Sequence, residues 1–186
     1  MSKRIFEIRF HSRAGQGAKS AAALLAEAAL SMGKQVQAFP QYGPERGGAP
    51  MKAFVRISDS KIYTYAPVIE PDVVAVLDDT LLDKDVVQGL SSGILLVNTK
   101  KPSEAISKIT GFKGKIYSID ATSIAFDILG RNFPNMPILG ALIKLTKVVD
   151  LRFVTDRIKK HFTFKINEDI AKKNVLACKK GCEAVK

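Results

Sequence analysis

An α/β domain with a mainly parallel sheet is the fold this sequence predicts, and three observations predict it. Residues 73–77 (VVAVL) and 94–97 (ILLV) are continuous apolar runs, the mark of strands buried on both faces. Helical patterns separate and follow these runs at the spacing of βαβ units. A glycine-bearing segment, Ala14-Gly-Gln-Gly-Ala18, joins the first strand-like pattern to an alanine-rich helix. With 186 residues, 46% hydrophobic and 25% charged, the chain can bury one real core. The reading is a single three-layer domain over residues 1–186, with an inserted β-hairpin and a helical C-terminus.

Residues 5–10 (IFEIRF) alternate apolar and polar as a half-buried first strand should. A loop over residues 11–17 then opens a helix over residues 18–32, which Gly33 stops. Residues 36–39 (VQAF) read as a second strand. The stretch 40–50 holds three prolines and three glycines and reads as an irregular exposed loop. Residues 51–57 and 62–65, flanking Ser58-Asp-Ser60, are expected to pair as a hairpin. Beyond Pro71 come the buried runs and a third strand at 115–119 (KIYSI), with short helical patterns around 81–90 and 103–110. Helices are expected at 121–129, 138–149 and 151–161, and a basic one at 168–183 closes the chain.

Composition narrows the function classes. No apolar stretch is long enough to cross a bilayer. Met1-Ser-Lys-Arg leads straight into strand-like residues, so no signal peptide is read. Two cysteines exclude a disulfide scaffold, and a reducing cytoplasm is the expected compartment. The net charge is +11, of which +6 falls in residues 157–186, with nine bases against three acids. A solvated helical face explains this most simply. Phosphate-rich ligands, an acidic partner or RNA are the other readings, and stacking aromatics for nucleic acid are sparse there.

Two glycine loops carry the chemistry. In the first, glycines at a strand-to-helix turn let backbone N–H groups approach an anion, with Arg13 and Lys19 beside them. Ser20 stands where a dinucleotide fingerprint has its third glycine, and no acidic residue ends the second strand. The spacing of a phosphate-binding P-loop is absent too. A general phosphate or carboxylate cradle survives, beside the alternative of a turn that needs glycine for its backbone alone. The second loop is Gln41-Tyr-Gly-Pro-Glu-Arg-Gly-Gly-Ala-Pro50, where Tyr42, Glu45 and Arg46 interrupt an open glycine backbone. His11, next to the first turn, is a candidate acid or base with no carboxylate inferred beside it. Asp79 or Thr80 is expected to cap the following helix. Cys178 and Cys182 share one helix face but lack the further ligands of a metal site. No catalytic residue is assigned.

The same loops carry a resemblance. Arg13-Ala-Gly-Gln-Gly-Ala18, Val36-Gln-Ala-Phe-Pro40, Tyr42 to Pro50, Asp78-Asp-Thr-Leu-Leu82, Gly93 to Asn98, Asp120-Ala-Thr122 and Asn135-Met-Pro-Ile-Leu-Gly-Ala141 occur in that order. Together they resemble gamma subunits of the pyruvate:ferredoxin oxidoreductase (2-oxoacid:ferredoxin oxidoreductase) family. The resemblance implies a complex that reversibly converts pyruvate, coenzyme A and oxidised ferredoxin to acetyl-CoA, CO2 and reduced ferredoxin. It implies partner alpha, beta and delta subunits that hold thiamine diphosphate, Mg2+ and [4Fe-4S] clusters, and a gamma chain that binds none of these alone. It also places the gamma chain on the coenzyme A side. The candidate contacts are then Arg13, Gly15, Gln16, Gly17, Ala18 and Lys19 of the first loop, with Tyr42, Gly43, Glu45, Arg46 and Gly47 of the second; docking of partner subunits competes for the same residues. Branched-chain 2-oxoacids or 2-oxoglutarate are alternative substrates, and a free-standing phosphate-ligand binding protein is the reading from another class.

Overall fold

Alternation along the first strand decides where the layers lie. In β1 (Phe6–Arg13), Ile8 and Phe10 point into one core, while Arg9 and His11 are buried on the opposite face. The computed structural model describes residues 5–42 and 48–185. Its sheet has six strands in the order β2-β3-β1-β4-β5-β6, formed by β1, β2 (Gln35–Tyr42), β3 (Pro50–Ser58), β4 (Val73–Val76), β5 (Ile94–Asn98) and β6 (Lys115–Ile119). β3 runs antiparallel to both β1 and β2, and β1, β4, β5 and β6 are mutually parallel neighbours. The sheet is therefore mainly parallel, as the buried runs imply.

The larger core lies under α1 (Ala18–Ser31), α3 (Ala121–Leu129), α4 (Asn135–Thr146), α5 (Leu151–Lys165) and α6 (Glu168–Ala184). The alanines of α1 (Ala18, Ala21, Ala28 and Ala29) are fully buried, so the helix lies close against the sheet. On the other face, Val74, Val76, Leu95 and Val97 meet Val86, Leu90 and Ile106, the last on α2 (Ser103–Thr110). Two cores, one on each face, explain why β4 and β5 are apolar without alternation. The inner helices α4 and α6 cross where neither has a side chain to spare: a Cβ on Gly140 would strike the Cys178 carbonyl, and one on Gly181 would strike the Pro137 carbonyl.

Several expectations are corrected here. Residues 62–65 form no strand, and Tyr63 and Tyr65 are exposed. β3 already pairs with β1 on one edge and β2 on the other, so it has no edge left for them. The hairpin is instead β2–β3, closed across the second glycine loop. β2 runs on through Pro40, which the composition of residues 40–50 puts in the loop; an edge strand tolerates a residue without an N–H. β1 likewise extends to Arg13, which shortens the first loop. The pattern around residues 81–90 forms two single 3-10 turns, at Asp79–Leu81 and Asp85–Val87, in place of a helix. α4 starts three residues early, with Pro137 inside its first turn, where its missing N–H costs nothing.

The glycine crossing makes a prediction. Gly140→Val forces α4 and α6 apart and costs about 1–3 kcal/mol, roughly 2–4 °C in melting temperature for each kcal/mol in a chain of this size. Thermal unfolding followed by circular dichroism checks it, and an unchanged midpoint contradicts the close packing.

Candidate functional site

β1 and β4 are parallel neighbours whose chains leave in opposite directions, β1 toward α1 and β2, β4 toward β5. That divergence opens a crevice at the carboxyl ends of the strands, the place where α/β sheets bind ligands. The first glycine loop borders it, and so do Tyr42 and Gly48, the described residues on either side of 43–47. Gly15 and Gly17 take left-handed backbone angles, φ 101° and 85°, which β-carbons resist. Gly17 is also the N-cap of α1 and gives it no side-chain acceptor, so the first N–H groups of that helix are left without a cap. Asn135 Nδ2 donates to the Gly17 carbonyl at 3.2 Å, and a Cβ on Gly17 would collide with the Asn135 carboxamide. The backbone reason for Gly17 is therefore real, while around Gly15 a Cβ would meet open space.

Asp78, at the end of β4, ties the turn in place. Gln16 Nε2 donates to Asp78 Oδ2 at 2.7 Å, and the Arg13 N–H donates to Gln16 Oε1 at 2.8 Å. Thr80 gives Asp78 Oδ1 its hydroxyl proton at 2.6 Å and its N–H at 3.0 Å. The Arg13 guanidinium donates to Thr80 Oγ1 from Nε and Nη2 (3.2 and 2.9 Å) and from Nη1 to the Gly48 carbonyl at 3.3 Å, beside the second loop. Its Nε is 3.5 Å from Asp78. Burial pushes the Asp78 carboxyl up, but hydrogen bonds from Thr80 and Gln16, with the Arg13 charge, hold it below the usual carboxylate range. The cap of the 3-10 turn is thus Asp78 and not Asp79 or Thr80. Asp79 is spent elsewhere: it pairs with Lys101 and accepts from Thr99 Oγ1 at 2.8 Å.

The structure brings Arg13 and Gln16 together through Asp78. Ala18 is fully buried and can offer only its N–H, whereas Lys19 is exposed. Tyr42 is 57% exposed at the end of β2. Gly43, Glu45, Arg46 and Gly47 lie outside the described residues. Between the β1, β2 and β3 ends and the 3-10 turns lies a cavity of 440 Å3, lined by His11, Gln41, Tyr42, Met51, Lys52 and Thr80, among others. Sequence reading missed Lys52. Its signal was the strand register, which sets Lys52 opposite His11.

His11 is not the acid or base that its position suggested. Arg9 Nε donates to His11 Nε2 at 3.0 Å, so that nitrogen holds a lone pair already in use. Burial first, then the charges of Arg9 and Lys52, press its pKa down to about 3. The ring is neutral at physiological pH. Nor does α6 offer a full set of cluster ligands: the chain has two cysteines where an iron–sulfur cluster takes four, and burial pushes the Cys178 thiol up to about 12. Cys178 and Cys182 do not fit an iron–sulfur cluster.

A carboxyl held low stabilises the fold above its unfolded pKa, near 3.9, and loses that contribution as pH falls through the folded value. Asp78→Asn should therefore melt below the wild type at pH 7, with the gap closing as pH falls toward 3. Melting temperatures across that range check it; a gap constant with pH contradicts the role of the charge.

Comparison with known proteins places the chain. It is 53% identical to pyruvate synthase subunit PorC of Thermotoga maritima over 187 aligned residues, covering all of this chain and 97% of that protein. It is 49% identical to the pyruvate/ketoisovalerate oxidoreductases common subunit gamma of Thermococcus kodakarensis, covering 90% of this chain and 92% of that one. The crystal structure of the Thermotoga maritima pyruvate oxidoreductase subunit PORC superposes with a TM-score of 0.91 at 52% identity, over 99% of this chain and 98% of that one. Residues 7–184 match the pyruvate ferredoxin/flavodoxin oxidoreductase family, and the chain belongs to that family.

Proposed function

We propose that the chain is the gamma subunit of a pyruvate:ferredoxin oxidoreductase and supplies its coenzyme A side together with contacts to partner subunits. The complex converts pyruvate, coenzyme A and oxidised ferredoxin to acetyl-CoA, CO2 and reduced ferredoxin, reversibly, in the cytoplasm. Thiamine diphosphate, Mg2+ and [4Fe-4S] clusters belong to the alpha, beta and delta subunits, and the isolated gamma chain is inactive. The cofactors do the redox chemistry; this chain binds and orients.

The observation that carries the coenzyme A role is the uncapped start of α1 beside Arg13 and Lys19, at the mouth of the strand crevice. Coenzyme A presents a diphosphate and a 3′-phosphate, and helix N–H groups with nearby cations suit them. Arg13 is already oriented by Thr80 and Gly48, which lowers the entropy lost when it engages an anion. Gly43, Glu45, Arg46 and Gly47 of the second loop complete the proposed contact. The relative named a common subunit serves both pyruvate and ketoisovalerate oxidoreductases. This favours a chain that does not choose the 2-oxoacid, and keeps a branched-chain complex as the second reading.

Co-expression with alpha, beta and delta subunits of the same complex tests the proposal. The complex should co-purify and reduce ferredoxin only with both a 2-oxoacid and coenzyme A. Lys19→Ala, at an exposed position, should raise the KM for coenzyme A about tenfold, the loss of one charge-assisted contact. The KM for pyruvate and the melting temperature should stay unchanged. An unchanged KM for coenzyme A, or full turnover without this chain, overturns the reading.

A further inference from the structure

The corner between α5 and α6 leaves apolar side chains in water. α5 ends and α6 begins across two residues, Ile166 and Asn167. Both of their N–H groups donate back to the Phe162 carbonyl, at 2.9 and 3.1 Å. The Asn167 side chain caps α6 by accepting from the Ile170 N–H at 2.9 Å, so the corner is held in one shape. Beside it runs a groove of 470 Å3 with Leu129, Phe133, Phe162, Ile166 and Ile170 as apolar walls, and Gly15, Gly17 and Ser20 close its other side. Ile166 is 59% exposed and Phe133 40%. Contiguous exposed apolar surface marks an interaction site. With two walls open to water, the groove does not enclose a small molecule as a ligand cavity does. It suits a side chain projecting from another protein, and a corner already in shape lowers the ordering cost of docking.

The charges say which protein surface fits. Arg131 lines the groove, and among the described residues no carboxylate does. Lys165, next to Ile166, is exposed, and among the described residues neither cation forms an ion pair. Glu168 and Asp169, just beyond the corner, are held by Lys172 and Lys173 at 3.1 and 3.0 Å. Of the residues outside the description, Glu45 is the one acid, against Lys3, Arg4, Arg46 and Lys186, so they do not reverse the balance. A second copy of the chain, with the same net charge of +11, would set Arg131 and Lys165 against like charges across a two-fold axis. A partner bearing carboxylates meets no such repulsion.

We propose that this groove docks an acidic segment of a partner subunit, whose bulky apolar side chain packs against Phe133 and Ile166 while its carboxylates face Arg131 and Lys165. That the partner is a subunit of the same complex rests on the gamma-subunit reading; the acidic, apolar-anchored chemistry rests on the groove. Arg13 and Lys19 do not line the groove, so docking and the proposed coenzyme A contact use different side chains. The apolar anchor supplies the affinity, and the charges at the rim select the partner and speed its arrival.

The test is a competition for places in the complex. A tagged alpha subunit, with beta and delta, is co-expressed with equal amounts of the wild-type chain and a variant carrying a different epitope, and the ratio captured on the tag is measured. Ile166→Ser should be captured about tenfold less than the wild type, the loss of one interface anchor. Its melting temperature as an isolated chain should not change, since the side chain is mostly in water; if it falls, Phe133→Ser reads the same groove. Arg131→Glu should also be outcompeted. Ile69→Ser, at a 71% exposed position outside the groove, should be captured as well as the wild type. Equal capture of Ile166→Ser and the wild type overturns the proposal, as does an equal loss of Ile69→Ser. Equal capture of Arg131→Glu overturns the acidic partner. A dimer of the isolated chain in sedimentation, dissociated by Ile166→Ser, makes the occupant a second copy and overturns it too. If the wild type itself is not captured, the gamma-subunit reading fails and takes the partner with it, a result distinct from equal capture.

Discussion

The Asp78 carboxylate is the point on which the site depends. It sits at the end of β4 and accepts from Gln16 and Thr80, with Arg13 beside it. The partners come from chain segments 62 residues apart, and only the parallel pairing of β1 with β4 brings them together. Coulomb attraction alone is modest at a half-exposed edge. Four polar groups satisfied by one another are worth more, because each fixes the geometry of the next. The turn before α1 is thereby held in shape without a side-chain cap on the helix N–H groups.

The two faces of β1 do different work. Ile8 and Phe10 anchor it to the large core, and above them lie the alanines of α1. On the other face Arg9 is buried, with the His11 ring and three backbone carbonyls as its partners. A guanidinium held this way is costly to bury, and burial lowers its pKa. What it secures is local order: the 3-10 turn at Asp85–Val87 and the segment before β4 are pinned to the sheet, and the imidazole next to it is kept neutral. Arg56 does the same on β3, bonding Glu7 and the Ala66 carbonyl at 2.6 and 2.7 Å.

Much of this was legible in the chain, and the failures have physical causes. Apolar runs without alternation at residues 73–77 and 94–97 identified strands covered on both faces, and both cores exist. The glycine turn was read correctly because positive φ and helix entry are local properties. The strand pattern at residues 62–65 misled because local alternation carries no information on whether a sheet edge is free. Pro40 misled in the opposite sense, since an edge strand does not need that N–H. Asp78 was legible only as the carboxyl end of a buried strand, with capping read onto Asp79 or Thr80, because its partners Arg13 and Gln16 lie far along the chain. His11 was misread for a nearer reason: Arg9, two residues away on the same strand face, was a visible neighbour whose effect on the ring had been left out. Gly43 to Gly47 fall outside the described residues, so the second loop stands as a proposal.

The most direct measurement is a structure of the assembled complex with coenzyme A bound. The account predicts the phosphates of the ligand within hydrogen-bonding distance of the Gly15–Ala18 backbone and the Arg13 or Lys19 side chain. Coenzyme A held wholly by other subunits, with this turn packed against a neighbouring chain, would contradict it and leave the crevice a docking surface only.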